Sequence, residues 1–525
     1  MTRRQLLLTT ALYGLAGKSM LLSLAKAQAA PVAVQPVINL DRFQTRVAAF
    51  TARDDEAVLT AITNTQAWEW MQGNVPFFEC PDPQIEEIFL FRWWLYRKHL
   101  RPTPDGWIVT EFLPDVPWAG KFNSISCPAG HHFYEGRWLR DSQILDDYAR
   151  FWFEGGEPRR YSFWVADAIY QRALATGDWK VATDLLPDLV ANWRAWEKSN
   201  GRPNGLFTQI DDRDGMEFSS GGSGFRPTIN SYQYGDARAI EKLARRSGDK
   251  AIAQEFGAKA DKLKTLVETK LWDKEAQFFK TLPEAEGAQL VRPREQVGFV
   301  PWYFSLPSRG KGFETAWRQI KDPSGFAAPY GPTTVEQRDP SFMVAHPHDC
   351  LWNGPSWPFA TTQTLVALAN VLHDYHQDAV TNRDYFELLK TYTRSQYKDG
   401  HPWLAEDLDA HTGKWIVDLP RSIYYNHSGY CDLVISGLVG LTPRDDQTVE
   451  VRPLLPPGTW DYFCLQDVPY HGHLLTILWD ANGTRYGRGK GLIILADGQE
   501  LAHSSKLKAL RAVLPEKPIS PFRKL

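Results

Sequence analysis

Apolar residues recur at helical spacing in ten separate segments of the chain, and this recurrence constrains the fold more than any other feature. The segments are 85–99, 141–153, 162–176, 179–198, 228–246, 250–271, 312–321, 356–373, 381–397 and 430–441. Loops rich in Gly, Pro and Asp separate them, for example 200–225, 323–350 and 398–426. About a dozen helices with long alternate loops favour a toroid of helical hairpins. The absence of a sequence period of 20–50 residues disfavours a solenoid.

The pattern changes to short strands after Pro443. Apolar segments at 449–452, 459–465, 474–479 and 492–496 are interrupted by Pro-Pro-Gly, Asn-Gly and Asp-Gly turn sequences. We therefore predict an N-terminal arm at 30–79, a helical barrel at 80–445 and a small all-β module at 446–525. The module is expected to cap the barrel, with sugar binding as the alternative role.

The first 29 residues resemble a twin-arginine export signal. Arg3 and Arg4 precede a weakly apolar stretch, and Ala-Gln-Ala at 27–29 is typical of a cleavage site. An uncleaved anchor is the alternative, but Lys18 interrupts the apolar stretch. Export predicts a periplasmic or secreted protein with no membrane span after removal of the signal. Residues 1–29 contain four basic and no acidic residues, so their removal changes the formal net charge from −3 to −7.

Composition excludes some classes of protein and favours another. The chain is 43% hydrophobic and 23% charged, which is typical of a soluble protein with large cores. The slightly acidic balance argues against a nucleic-acid partner. Aromatic residues make up 13% of the chain, including 21 Trp, which favours a carbohydrate-active enzyme. The five cysteines show no C-x-x-C spacing, and we expect buried, reduced thiols.

Two acidic segments are candidates for catalysis, because hydrolysis of a glycosidic bond requires one protonated carboxyl and one carboxylate in a shared pocket. In the first, Asp-Gly-Met-Glu-Phe-Ser at 214–219, Glu217 lies between apolar residues that would raise its pKa. In the second, Glu406 precedes a turn predicted at 409–413. A solvated acidic turn and a surface hairpin are the alternatives for these segments.

Two aromatic segments strengthen the case for a sugar site. Gly-Arg-Trp-Leu-Arg-Asp at 136–141 leads into Asp146, and Trp352 and Trp357 flank a Gly-Pro bend at 354–355. Planar aromatics and bidentate donors around one cavity suit hydroxyl-rich ligands. Each segment also fits a core helix start.

Taken in order, these segments resemble the (α/α)6 inverting glycosidases related to glycoside hydrolase family 63, the trehalases and the mannosylglycerate hydrolases. Segment 136–148 is similar to the first trehalase signature, with Leu145 where Trp is expected. Segment 351–358 is similar to Tyr-Trp-Arg-Gly-Pro-x-Trp-Pro, with Asn353 in place of Arg. Segment 214–219 resembles the stretch that carries the general acid, with Glu217 in place of Asp. Glu406 and the turn after it resemble the stretch that carries the general base.

The resemblance covers residues 80–445 and implies a mainly α (α/α)6 toroid with a small C-terminal all-β module. It also implies an inverting hydrolase of O-glycosidic bonds, acting on an α-linked oligosaccharide. Glu217 would be the general acid and Glu406 the general base. The predicted lining of the −1 subsite is Arg137, Trp138, Asp146, Arg226, Asn230, Trp352 and Trp357.

Three alternative functions stay open at this stage. A polysaccharide lyase on the same toroid would use the Tyr-Tyr-Asn-His segment at 424–427 for proton abstraction. A phosphorylase would leave Glu406 without a role. A non-catalytic carbohydrate-binding protein would use the same pocket, although both carboxyl positions are filled. The His-Pro-His-Asp segment at 346–349 contains ligand-type residues, but we predict no catalytic metal and no cofactor.

Overall fold

The structure is a computed structural model that describes residues 36–516. The predicted export signal at 1–29 lies outside the described residues. Thirteen α-helices are formed by the described chain, and most of them coincide with the apolar segments. They are α1 Asp41–Arg53, α2 Ala67–Asn74, α3 Pro83–Lys98, α4 Ala129–Gly136, α5 Gln143–Glu154, α6 Val165–Thr176, α7 Lys180–Asp184, α8 Leu186–Asn200, α9 Pro227–Ser247, α10 Lys250–Leu266, α11 Val300–Tyr303, α12 Pro358–Asp374 and α13 Asn382–Ser395.

Several predicted helices differ from the observed ones for local reasons. The segment 179–198 divides into α7 and α8 near Leu185, where Pro187 supplies no backbone donor to the preceding turn. The segment 312–321 is a 3-10 helix at Phe313–Lys321, and the final segment is π-helical at Leu433–Val439. Helices α1, α2, α4 and α11 lie outside the ten predicted segments, and α4 contains two Gly and two His in eight residues.

The helices pack in pairs along the chain, and the last α-helix packs against an early one. Contacts join α4 to α6, α6 to α9 and α9 to α10, and further contacts join α11 to α12 and α12 to α13. Helix α13 also packs on α3, whose apolar side chains are almost completely buried. Arg92 of α3 is buried at this junction and donates to the Gln396 side chain at 3.1 Å.

A buried carboxylate joins α4 to the final helical segment. Glu135 accepts hydrogen bonds from the backbone N–H groups of Tyr430, Cys431 and Asp432 at 2.8–3.1 Å. These N–H groups lie at the start of a helical segment and have no partner within it, so a carboxylate there is favourable. This contact fixes the chain that directly follows residues 424–427.

The chain after residue 440 forms a β module, as the sequence predicts. Strands β10, β11, β12 and β13 form an antiparallel sheet, and β9 pairs with β8 and β14 in a second sheet. The larger sheet also contains β1, which pairs with β10 in the register Phe77 to Gln466. The module therefore includes a strand from the predicted N-terminal arm. Strand bounds are β1 Phe77–Glu79, β2 Leu100–Thr103, β3 Gly106–Val109, β4 Trp272–Asp273, β5 Phe278–Phe279, β6 Tyr397–Lys398, β7 His401–Pro402, β8 Leu441–Thr442, β9 Thr448–Val451, β10 Tyr462–Tyr470, β11 His473–Asp480, β12 Gly491–Ala496, β13 Gln499–Ser504 and β14 Leu510–Val513.

The turn between β12 and β13 shows how the strand register is set. Asp497 and Gly498 both have positive φ, at 50° and 80°, as a two-residue hairpin of type I′ requires.

Among residues 36–516, no helix combines the length and the apolar character that a bilayer span requires.

Candidate active site

The loops that follow the helices enclose a pocket of about 530 Å³, and both predicted catalytic carboxyls line it. Glu217 comes from the loop between α8 and α9, and Glu406 comes from the loop after β7. Seventeen residues line the pocket: Glu111, Phe112, Trp118, Ile125, Cys127, Tyr161, Asp212, Gly215, Glu217, Pro347, His348, Asp349, Cys350, Trp357, Glu406, Arg421 and Tyr425. The pocket therefore unites chain segments that are far apart in sequence.

The loop that carries Glu217 is held by a buried guanidinium. Arg226 precedes the first residue of α9 and is fully buried. Its Nε donates to Asp214 at 2.9 Å, and its Nη1 donates to the Ser219 hydroxyl at 2.7 Å and to the Gly222 carbonyl at 2.6 Å. These partners lie on both sides of Glu217 in sequence, so the ion pair closes the loop around it.

The environment of Glu217 favours its protonated form. Burial, and after it the nearby carboxylates Asp214, Asp212 and Glu406, raise the pKa of this carboxyl to about 7. No side-chain donor among residues 36–516 bonds to the Glu217 carboxyl. A carboxyl with a pKa of about 7 is mostly protonated below neutral pH and can then donate its proton.

The Glu406 carboxyl has three side-chain hydrogen-bond donors. Its carboxylate accepts hydrogen bonds from Arg421 Nε at 3.1 Å, from the Ser422 hydroxyl and from the Cys350 thiol at 3.1 Å. The side chain is almost fully buried, so the bond to the guanidinium is a charge-assisted one in a poorly solvated site. A fixed carboxylate of this kind can accept a proton from water.

The two tryptophans of segment 352–357 form a stacked pair beside the pocket. The Trp352 and Trp357 rings lie 4.3 Å apart at an interplanar angle of 13°. Trp357 lines the pocket, whereas Trp352 lies behind it and donates its backbone N–H to the Glu217 carbonyl at 3.0 Å. Trp352 therefore positions the loop that carries Glu217, residues 214–222, which we call the acid loop. Trp357 provides an aromatic surface in the pocket.

Arg226 and Asn230 were predicted to line the −1 subsite, but neither lines the pocket, and both bond to the chain around Glu217. Arg226 is fully buried in the contacts described above. The Asn230 side chain exchanges two hydrogen bonds of 2.9 Å with the backbone of Phe207 and donates a third to the Arg226 carbonyl. These contacts use the polar atoms of Asn230 to hold the chain before and after the acid loop.

Three further predicted lining residues lie elsewhere, which corrects the sequence-based prediction. Arg137 forms a buried ion pair with Asp432 at 2.8 Å, and Trp138 donates its indole N–H to the same carboxylate at 2.7 Å. Asp146 pairs with Arg172 at 2.6 Å. None of the three lines the pocket. Segment 136–148 runs from the last residue of α4 through the first half of α5, and its polar side chains bond to groups outside the pocket, such as Asp432, Arg172 and Asp467.

Glu111 also lines the pocket, and the sequence did not predict it. The Tyr425 hydroxyl donates to Glu111, and burial raises the pKa of Glu111 to about 8. The Asn426 N–H also bonds to the Glu111 carbonyl, at 2.9 Å. Glu111 follows β3 in the sequence Thr-Glu-Phe-Leu-Pro-Asp at 110–115, which matches none of the motifs singled out from the sequence. The one sequence signal for this part of the pocket is the Tyr-Tyr-Asn-His segment at 424–427, because its Tyr425 bonds to Glu111.

The cysteines are all free, and four of the five are buried as predicted. Cys350 is the exception: it is half-buried, lines the pocket and bonds to Glu406. Burial raises the pKa of this thiol, and the adjacent carboxylates Glu406 and Glu217 raise it further, so it stays protonated and serves as a donor.

The histidines of segment 346–349 contact an aromatic ring at the pocket mouth. The Phe218 ring lies 5.2 Å from the His346 ring and 5.1 Å from the His348 ring. Within the described part of the chain, no group of three or more His, Cys, Asp or Glu side chains is arranged to hold a metal ion.

Comparisons with known proteins agree with this chemistry. Residues 121–428 match the family described as the mannosylglycerate hydrolase MGH1-like glycoside hydrolase domain. Residues 443–503 match the C-terminal domain of glycosyl hydrolase family 65. The first match contains Glu217 and Glu406, and the second covers most of the β module.

Similar proteins are known with and without a solved structure. A solved protein named sialidase is 44% identical, with a TM-score of 0.88, over 90% of this chain and 45% of its own. A GH63 mannosylglycerate hydrolase from Thermus thermophilus, solved with glucose, is 13% identical, with a TM-score of 0.50, over 66% of this chain and 98% of its own. An uncharacterised protein of Borreliella burgdorferi is 24% identical over 180 residues, or 34% of this chain and 37% of that protein. The chain thus spans less than half the length of the first and third of these proteins.

Proposed function

Because the chain belongs to the family of the mannosylglycerate hydrolase MGH1-like glycoside hydrolase domain, we propose that it hydrolyses O-glycosidic bonds of an α-linked oligosaccharide by single displacement with inversion. The observation that carries this proposal is the pair of carboxyls in one pocket with opposite surroundings. Glu217 has no side-chain donor among the described residues, whereas Glu406 has three. This asymmetry suits Glu217 to the role of the acid and Glu406 to the role of the base.

In the proposed reaction, the Glu217 carboxyl protonates the glycosidic oxygen as the bond to the leaving group breaks. Glu406 removes a proton from a water molecule, and the resulting hydroxide oxygen bonds to the anomeric carbon from the opposite face. The bonds from Arg421, Ser422 and Cys350 fix the orientation of the Glu406 carboxylate. Trp357 provides an aromatic face for the sugar ring.

The same proposal extends to architecture and location. We propose that the helices form an (α/α)6 toroid, since α13 returns to pack on α3 and the pocket is built from the connecting loops. The Arg3-Arg4 segment and the Ala-Gln-Ala sequence support export through the twin-arginine route to the periplasm or medium.

A second candidate substrate class is the sialosides, because a protein named sialidase is 44% identical over 90% of this chain. That protein is more than twice as long as the stretch it shares with this chain. A sialoside carries a carboxylate that requires a cation in the pocket. Arg421 is the only Arg or Lys among the residues that line the described pocket, and its Nη2 also lies 3.5 Å from Asp349.

The direct test of the proposed function is a screen of aryl glycosides and α-linked disaccharides, with aryl sialosides as a separate arm. We expect hydrolysis of one neutral glycoside, and NMR of the first product should show the anomer opposite to that of the substrate. A product of the same anomer would contradict inversion, and hydrolysis of sialosides alone would favour the second candidate. An unsaturated product absorbing in the ultraviolet would instead identify a lyase.

The roles of the two carboxyls predict different responses to the leaving group. Glu217→Gln should lower kcat/KM by about 10²–10⁴-fold for a poor leaving group, which needs protonation, and much less for a dinitrophenyl glycoside. Glu406→Gln should lower kcat/KM by a similar factor for both substrates, since each requires activated water. The exposed Glu500→Gln is the matched control and should match the wild type. Equal losses in Glu217→Gln for both leaving groups would rule out its role as the acid.

The pKa of Glu217 predicts the alkaline side of the pH profile. Below a pKa of about 7 the carboxyl is protonated and competent as an acid, and above it the ionised fraction grows. We therefore expect kcat/KM for a poor leaving group to fall above pH 7, approaching tenfold per pH unit. Initial rates from pH 5 to 9 measure this limb. A profile that stays flat to pH 9 would show that Glu217 is not the essential acid.

A further inference from the structure

A second cavity, of about 470 Å³, shares no lining residue with the catalytic pocket. Helix α9 contributes to both regions. Arg226, at its start, holds the acid loop, whereas Lys242 lies 16 residues later and lines the second cavity. At 1.5 Å per residue this separation is about 24 Å along the helix axis. The second cavity is therefore distinct from the catalytic pocket. It also contains Arg137 of the Gly-Arg-Trp segment, to which the proposed catalytic reaction gives no role.

Aromatic side chains form part of the wall of this cavity. Tyr134, Tyr170, Tyr234, Tyr303 and Phe304 all line it, and the Tyr134 and Tyr303 rings lie 5.3 Å apart. Binding sites for small molecules typically combine aromatic walls with a few well-placed polar groups. Flat aromatic faces pack well against the C–H faces of a sugar ring.

The polar groups inside the cavity include one with an unused hydrogen-bonding capacity. Tyr303 is buried, and its hydroxyl has no partner among residues 36–516. Asp167 accepts a bond from the Tyr134 hydroxyl at 2.7 Å and lines the same space. A buried hydroxyl without a partner is unfavourable, so a bound hydroxyl group would satisfy it. Together, a donor–acceptor hydroxyl and a carboxylate suit a polyhydroxylated ligand.

The mouth of the cavity is positively charged. A contiguous space of about 550 Å³ shares Lys242 and Tyr170 with the cavity. Its charged lining consists of Lys242, Arg245, Arg246 and Arg444 against the single carboxylate of Asp445.

Two of these cations are available for an anion. Within the described part of the chain, neither Lys242 nor Arg246 forms a salt bridge, although other basic residues nearby do. Lys242 Nζ lies 4.9 Å from the centre of the Tyr170 ring, and the Arg246 guanidinium lies 3.9 Å from that of Trp179. The rings hold both cations at the entrance by cation–π contacts. The catalytic pocket has the opposite character, with five carboxyls and one Arg among its lining residues.

From this arrangement we propose that the second cavity is a binding site for an anionic sugar, a monosaccharide or disaccharide that carries a carboxylate or a phosphate. The anionic group lies at Lys242 and Arg246, and the sugar hydroxyls point inward to Asp167 and Tyr303. This site binds without catalysis and does not depend on the proposed hydrolase activity.

The experiment is isothermal titration calorimetry on the full-length chain carrying Glu406→Gln, which excludes turnover during the titration. The probes are glucuronate, galacturonate, N-acetylneuraminate and glucose 6-phosphate, with glucose and inorganic phosphate as comparators. We expect at least one anionic sugar to bind one site per chain, and both comparators to bind at least tenfold more weakly. Failure of all four anionic sugars to bind, or binding of inorganic phosphate with equal affinity, would overturn the proposal.

Added substitutions locate the bound sugar. Lys242→Ala should raise the Kd at least tenfold, and Tyr303→Phe should raise it for the sugar but leave any weak phosphate binding unchanged. Arg421→Ala, the matched control in the catalytic pocket, should leave the Kd unchanged. Lys242 is exposed at the mouth, so its substitution preserves the fold, and circular dichroism checks this. A Kd that responds to Arg421→Ala and not to Lys242→Ala would place the ligand in the catalytic pocket and contradict the second site.

Discussion

The buried guanidinium of Arg226 is the interaction on which the candidate active site depends. It stands immediately before α9 and bonds to groups on both sides of Glu217, including the fully buried carboxylate of Asp214. Removing one partner of a buried ion pair leaves an uncompensated charge, which typically costs about 3–5 kcal/mol. The ion pair therefore stabilises the conformation of the loop in which Glu217 lines the pocket. The backbone N–H of Trp352 also donates a hydrogen bond to the Glu217 carbonyl.

Once both glutamates share a pocket, their surroundings assign their roles. Glu217 is desolvated and lies near other carboxylates, which favours the neutral form. Glu406 accepts three side-chain hydrogen bonds, one of them from a guanidinium. Glu111 adds a third carboxyl whose pKa is raised by burial and which Tyr425 holds in place. Burial thus favours the neutral forms of Glu217 and Glu111, whereas three hydrogen bonds hold Glu406 for the role of the base in the proposed reaction.

The sequence predicts most of the helices, the β module and both catalytic candidates, because each has a local signature. Apolar periodicity marks the helices, turn dipeptides mark the β module, and acids within Gly-rich or aromatic loops mark Glu217 and Glu406. Residues whose roles depend on long-range packing were not predictable in the same way. Arg137 and Trp138 have the composition of a sugar site, but Asp432, 295 residues from Arg137, binds both of them. Glu111 has no motif of its own and enters the pocket only because Tyr425 meets it.

The central claim is that Glu217 is the protonated member of the pair, and infrared difference spectroscopy tests it most directly. The difference between wild-type and Glu217→Gln spectra isolates the C=O stretch of the neutral Glu217 carboxyl, which can be followed from pH 4 to 9. This account predicts that the band persists at pH 6 and titrates with a pKa of about 7. Disappearance of the band with a pKa near that of a solvated glutamate, about 4.3, would contradict it.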